Sequence, residues 1–155
     1  MKTELSRLIG KFKSVYDGSP WYGDSLLQKL ENVDAAKAFA VPAGGHHSVA
    51  QLVAHLLAWR RVLTERLKNK AFKPDINSDE DWPPNAALET KGWAALLAEL
   101  AANQAELLDL LSAQTDDLLA EPFDENYDFR FLLEGIIQHD VYHIGQIGLT
   151  CALLR

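Results

Sequence analysis

A single cysteine, Cys151, stands in 155 residues, so no disulfide can close within the chain. Cysteine usage therefore gives no sign of an oxidising compartment. Cations are also scarce: the net charge is −7 with histidines counted as neutral. This excludes a general phosphate-binding surface, because sequence-independent affinity for nucleic acid comes from clustered Lys and Arg. No apolar run approaches the ~20 residues needed to span a bilayer. The start, Met1-Lys2-Thr3-Glu4 with charges continuing to Lys13, lacks the apolar core of a signal peptide. These absences predict a soluble, cytoplasmic protein with neither nucleic acid nor membrane as a partner. No segment sustains period-two alternation, which excludes a sheet, and no internal repeat is visible.

What remains is helical periodicity. At 155 residues, 48% of them apolar, the chain fits one domain, 1–155, able to bury its own core. Leu5, Leu8, Ile9, Phe12, Val15 and Tyr16 predict a first helix over about 2–16, stopped by Asp17-Gly18-Ser19-Pro20. Residues from about 24 to 40 read as short helical turns interrupted near Asn32, followed by a loop at Val41-Pro42-Ala43-Gly44-Gly45. Ser48 with Gln51 three residues later is a capping box, opening a helix that runs to about Asn69. The stretch 71–88, with Pro74, Pro83 and Pro84, reads as a long acidic connection. A third long helix is expected over about 89–112, then an acidic segment broken by Pro122, then a last helix from about Phe129 to Leu154. Four long helices with connections of mixed length make an all-α four-helix bundle. The cations Arg60, Arg61, Arg66, Lys68 and Lys70 read as a solvated face, and the four tryptophans mainly as core anchors.

The chemistry is concentrated in histidine. In the last helix Leu132, Ile136, His139, His143 and Ile147 recur in steps of three and four, which keeps them on one face. His55 lies between Leu52 and Trp59 on the apolar stripe of the second long helix. One inward histidine is usually a core residue with a polar partner. Three are costly to bury without one, at about 1–3 kcal/mol for each unsatisfied group. A metal would satisfy all three together. Three nitrogen donors without carboxylate or thiolate suit zinc, nickel, copper or iron, and not calcium or magnesium. Gln51 and Gln146 lie within reach to orient the rings, against the simpler readings of a cap and a surface amide. His46 and His47 beside Gly44-Gly45 are weaker ligand candidates, Cys151 reads as a small core residue, and Trp82 could cover a pocket mouth.

The Ser-capped stretch Ser48-Val49-Ala50-Gln51-Leu52-Val53-Ala54-His55-Leu56 and the later Gly135-Ile136-Ile137-Gln138-His139-Asp140-Val141-Tyr142-His143-Ile144-Gly145-Gln146-Ile147 together resemble the DinB/YfiT-like metalloprotein superfamily. Trp21-Tyr22-Gly23-Asp24-Ser25-Leu26-Leu27 after the first helix fits as well. The resemblance implies an up-down-down-up four-helix bundle, a homodimer, and one divalent metal, zinc or nickel, on His55, His139 and His143. Many members carry arginine where this chain has Ile144, so any role of that arginine is not available here. Relatives of this kind include thiol S-transferases that use low-molecular-weight thiols. The resemblance thus implies a metal-dependent small-molecule enzyme, a thiol S-transferase; water activated by such a metal would make it a hydrolase instead. Two further readings are a non-catalytic metal- or ligand-binding bundle in a stress response, and a purely structural bundle with polar core histidines. No catalytic side chain beyond the three histidines is assignable from the sequence.

Overall fold

The computed structural model describes residues 3–75 and 78–155. Six α-helices form among the described residues: α1 (Glu4–Tyr16), α2 (Leu26–Leu30), α3 (Val49–Lys68), α4 (Asn85–Lys91), α5 (Trp93–Ser112) and α6 (Phe129–Leu153). A short 3₁₀ segment lies at Asp116–Ala120. The described residues contain no strand, only an isolated antiparallel bridge between Pro122 and Asp128. The fold is all-α, as the periodicity predicts.

The long helices begin where their capping chemistry puts them. Ser48 accepts from the Gln51 backbone N–H at 3.1 Å, and the Gln51 side chain accepts from the Ser48 N–H at 3.2 Å. Asp128 accepts from the Phe131 N–H and so opens α6. The Asp116 carboxylate reaches across from the 3₁₀ segment to the N–H groups of Glu4 and Leu5, at 3.1 and 2.9 Å. Each contact satisfies amide donors that have no partner within the first turn of a helix.

Helices α1 and α3 each pack against both α5 and α6, so the four long helices enclose one core. Leu8 and Phe12 of α1, Leu56 and Leu63 of α3, Leu100 and Leu107 of α5 and Phe129 of α6 are wholly buried there. Removing one such side chain from water stabilises the fold by about 1.5–3 kcal/mol before entropy is counted. Helix α6 is buried on more than the expected stripe, because α1, α2 and α3 all pack on it. Its outward side carries the exposed Phe131, Tyr142, Leu149 and Leu153, which fall on one face at 3.6 residues per turn.

Three expectations need correction. The third long helix does not run unbroken from about 89. Gly92 takes φ +87°, a conformation that side-chain-bearing residues rarely adopt, and so separates α4 from α5. Trp21 is 98% exposed and anchors no core. Arg60, read as part of a solvated face, is wholly buried, and so is Asp140, which lies off the expected stripe. The two form an ion pair. Arg60 donates from Nε and Nη2 to Asp140 Oδ2 at 3.1 and 2.7 Å, and from Nη1 to Gln104 Oε1 at 2.5 Å. The guanidinium also lies 5.5 Å from the centre of the Tyr16 ring. The pair joins α3 to α6 one residue past His139.

Candidate metal centre

Helix α3 carries His55, and one turn separates His139 from His143 on α6. The packing of α3 on α6 brings the three together. One ring nitrogen of each lies within 4.8 Å of the corresponding atoms of the other two. The Nε2 atoms of His55 and His139 are 3.1 Å apart. His55 and His143 are buried, and His139 is half-buried.

The remaining ring nitrogens show how the rings are aimed. His55 Nδ1 lies 3.0 Å from the backbone carbonyl of Asp81 and 2.9 Å from its Oδ1. Donation of the Nδ1–H to that residue leaves the Nε2 lone pair facing the other two histidines. Asp81 is itself fixed by the Trp59 indole N–H, which donates to Oδ1 at 3.0 Å. His143 Nδ1–H donates to Gln146 Oε1 at 2.5 Å, which again frees Nε2. His139 Nδ1 is buried without a hydrogen-bond partner among the described residues. Gln51 plays no such orienting part. It closes the cap of α3 and donates to the Pro83 carbonyl. Asp81 was not singled out in the sequence, where it is one more acid in an acidic connection.

Charge favours the neutral, ligand-ready form. Burial pushes His139 down to about 3, and the charges of His143, His55 and Arg60 act in the same direction. Burial also lowers His143, with the Gln146 acceptor opposing it. Neutral imidazoles can donate a lone pair to a metal, and imidazolium cannot.

Aromatic rings close one side. Trp82 stacks on His55, with ring centres 3.8 Å apart and 12° between planes, and on His47 at 3.9 Å and 17°. His47 is thus in the wall of the site and outside the cluster of three ligand atoms. Its Nδ1 is buried without a partner among the described residues, and burial lowers its pKa. Cys151 is a free, half-buried thiol packed against the core.

The donor set fits a divalent transition metal. Nitrogen ligands at about 2.0–2.1 Å in tetrahedral array stand about 3.3–3.4 Å from one another, close to the 3.1 Å between the Nε2 atoms of His55 and His139. Among the described residues no carboxylate joins the cluster, which argues against an oxygen-seeking ion. The family model described as the DinB superfamily matches residues 23–147, a span that includes all three histidines. The chain belongs to the DinB superfamily. No curated protein and no solved structure matches it. Superfamily membership and the cluster agree on a protein whose three histidines could hold a metal ion. No helix among the described residues is long and apolar enough to cross a membrane.

Proposed function

We propose that this DinB-superfamily protein is a metal-dependent small-molecule enzyme, that His55, His139 and His143 are the metal ligands, and that its reaction is thiol S-transfer. The convergence of three imidazole nitrogens within 4.8 Å, with no fourth protein ligand joining them among the described residues, carries this reading. A divalent ion such as zinc or nickel, held on three protein ligands, keeps a coordination position for an outside molecule and can hold a thiol as the nucleophilic thiolate at neutral pH. The chain's own residues do the rest. Asp81 and Gln146 fix two of the rings by accepting their Nδ1–H groups. Burial favours the neutral form of both His139 and His143. The indole of Trp82, stacked between His47 and His55, excludes water from one side.

The test is thiol consumption with 1-chloro-2,4-dinitrobenzene as the electrophile, measured across several cellular thiols. Zinc- or nickel-loaded protein should consume one of them faster than buffer does, and His143→Ala should not. If loaded protein gives no rate above buffer with any thiol, transfer is the wrong reaction.

A second reading, a non-catalytic metal- or ligand-binding bundle, draws on one observation. A well-formed cavity beside the cluster is lined by Trp59 and Asp81 but by none of the three histidines. Loaded protein that binds one metal per chain yet neither transfers thiols nor hydrolyses ester or amide substrates would favour this reading.

A further inference from the structure

The cavity beside the histidine cluster has a chemistry of its own. It measures about 390 Å³ and opens between α3, α4, α5 and the connection that precedes α4. That is within the roughly 300–1,000 Å³ of small-molecule sites. Its room comes from Ala54 and Ala58, one turn apart on α3, where larger side chains would fill it. Leu57, Val62, Leu88 and Leu96 supply an apolar wall. The Trp59 indole forms part of the lining, and an indole is the best aromatic surface for a cation.

The polar edge has a clear sign. Five carboxylates line it, from Glu65, Asp75, Glu80, Asp81 and Glu99, against two cations, Arg61 and Lys91. Both cations are already engaged by Glu99, at 2.7 Å from Arg61 and 2.8 Å from Lys91. An anionic ligand would meet repulsion with no unengaged cation to receive it. A ligand with a cationic end would meet acids and an aromatic ring.

We propose that this cavity is a binding site for a small molecule with an apolar body and a cationic end, seated on Trp59 and Asp81. None of the three histidines lines the site, and it does not rest on the thiol-transfer reading. It does share a wall with the cluster. Asp81 accepts from both Trp59 and His55, so an occupant would press on the residue that orients one of the three rings.

The experiment titrates trimethyl(2-phenylethyl)ammonium into full-length, nitrogen-15-labelled protein and follows the indole N–H signals by NMR. This probe has no lone pair on nitrogen, so coordination at the histidines cannot imitate the result. 3-Phenylpropanoate, similar in body and opposite in charge, is the comparison. The Trp59 signal should shift saturably while that of Trp21, 98% exposed and outside the lining, stays put. The propanoate should bind at least roughly fivefold more weakly, the size of one favourable charge contact at an open site. Ala58→Phe, which fills the cavity, should abolish binding. If that variant does not fold, Glu65→Gln with Glu80→Gln leaves the apolar walls, Trp59 and Asp81 in place and should reduce the preference for the cation. Equal binding of the two probes, an unmoved Trp59 signal, undiminished binding in folded Ala58→Phe, or an unchanged preference in the double variant would overturn the proposal.

Discussion

At Asp140 and Arg60 the loss of either partner alone should be costly to the fold. Both are wholly buried, and each is the other's main countercharge. Burial raises the Asp140 carboxyl's pKa, and the adjacent guanidinium opposes that rise. Asp140→Ala leaves Arg60 as a buried charge with Gln104 as its only hydrogen-bond partner among the described residues, and should destabilise the protein by about 3–5 kcal/mol. Replacing both members with apolar residues, Arg60→Met with Asp140→Leu, should recover most of that loss, since buried pairs often contribute little beyond satisfying each other. Denaturant unfolding of the three proteins decides it. A double variant no more stable than Asp140→Ala would show that the pair itself, and not the avoidance of a lone charge, holds α3 to α6. Neither residue's burial was legible in the sequence. Arg60 opens a run of cations that otherwise stays half-buried or exposed, and its partner lies 80 positions away. The three histidines were legible, because their spacing and apolar neighbours fix which way they face on a helix. Asp81 was not, because no periodicity reports where a side chain in an irregular connection points.

At the scale of elements, the helix periods and caps carried most of the fold. Ser48 and Gln51 set the start of α3, and Asp128 sets that of α6. The break between α4 and α5 was hidden for a physical reason. Trp93, Leu96 and Leu100 keep a helical spacing beyond it, a lone glycine does not by itself end a helix, and only the backbone of Gly92, at φ +87° and ψ 147°, interrupts the hydrogen-bonded run. A Cβ at position 92 would meet nothing within 4 Å, so Gly92→Ala carries a backbone penalty without a clash. The expected cost is about 1–3 kcal/mol of unfolding free energy. Stability equal to the wild type would mean that α4 and α5 can join into one helix, and that the break is not required by the packing around it.

For the whole molecule, the buried histidines make stability depend on acid. His139 is held near 3 in the folded chain, and His143 is also lowered. In the unfolded chain both imidazoles take up protons below about 6.5. Between those limits the unfolded state binds more protons, so stability is full above about 6.5 and falls as the pH drops from there towards 3. Metal on the same nitrogens adds to this, because protons and metal compete for them. Thermal unfolding of chelator-treated protein from pH 7.5 to 4.5 should show a falling midpoint. His139→Gln should flatten that dependence, and a wild-type midpoint indifferent to pH would mean that these rings are not held neutral. Superfamily membership and the all-α architecture were legible in the sequence from one end of the match to the other. The site beside the cluster was not, because it is built from residues of α3, α4 and α5 that meet only when the bundle closes.

Everything proposed about the reaction depends on one ion held jointly by α3 and α6. Elemental analysis of purified wild type and His143→Ala, with folding of both checked by circular dichroism, addresses that directly. Close to one equivalent of zinc or nickel per chain is expected in the wild type, and its loss in a variant that remains helical. Equal trace metal in the two proteins would contradict it.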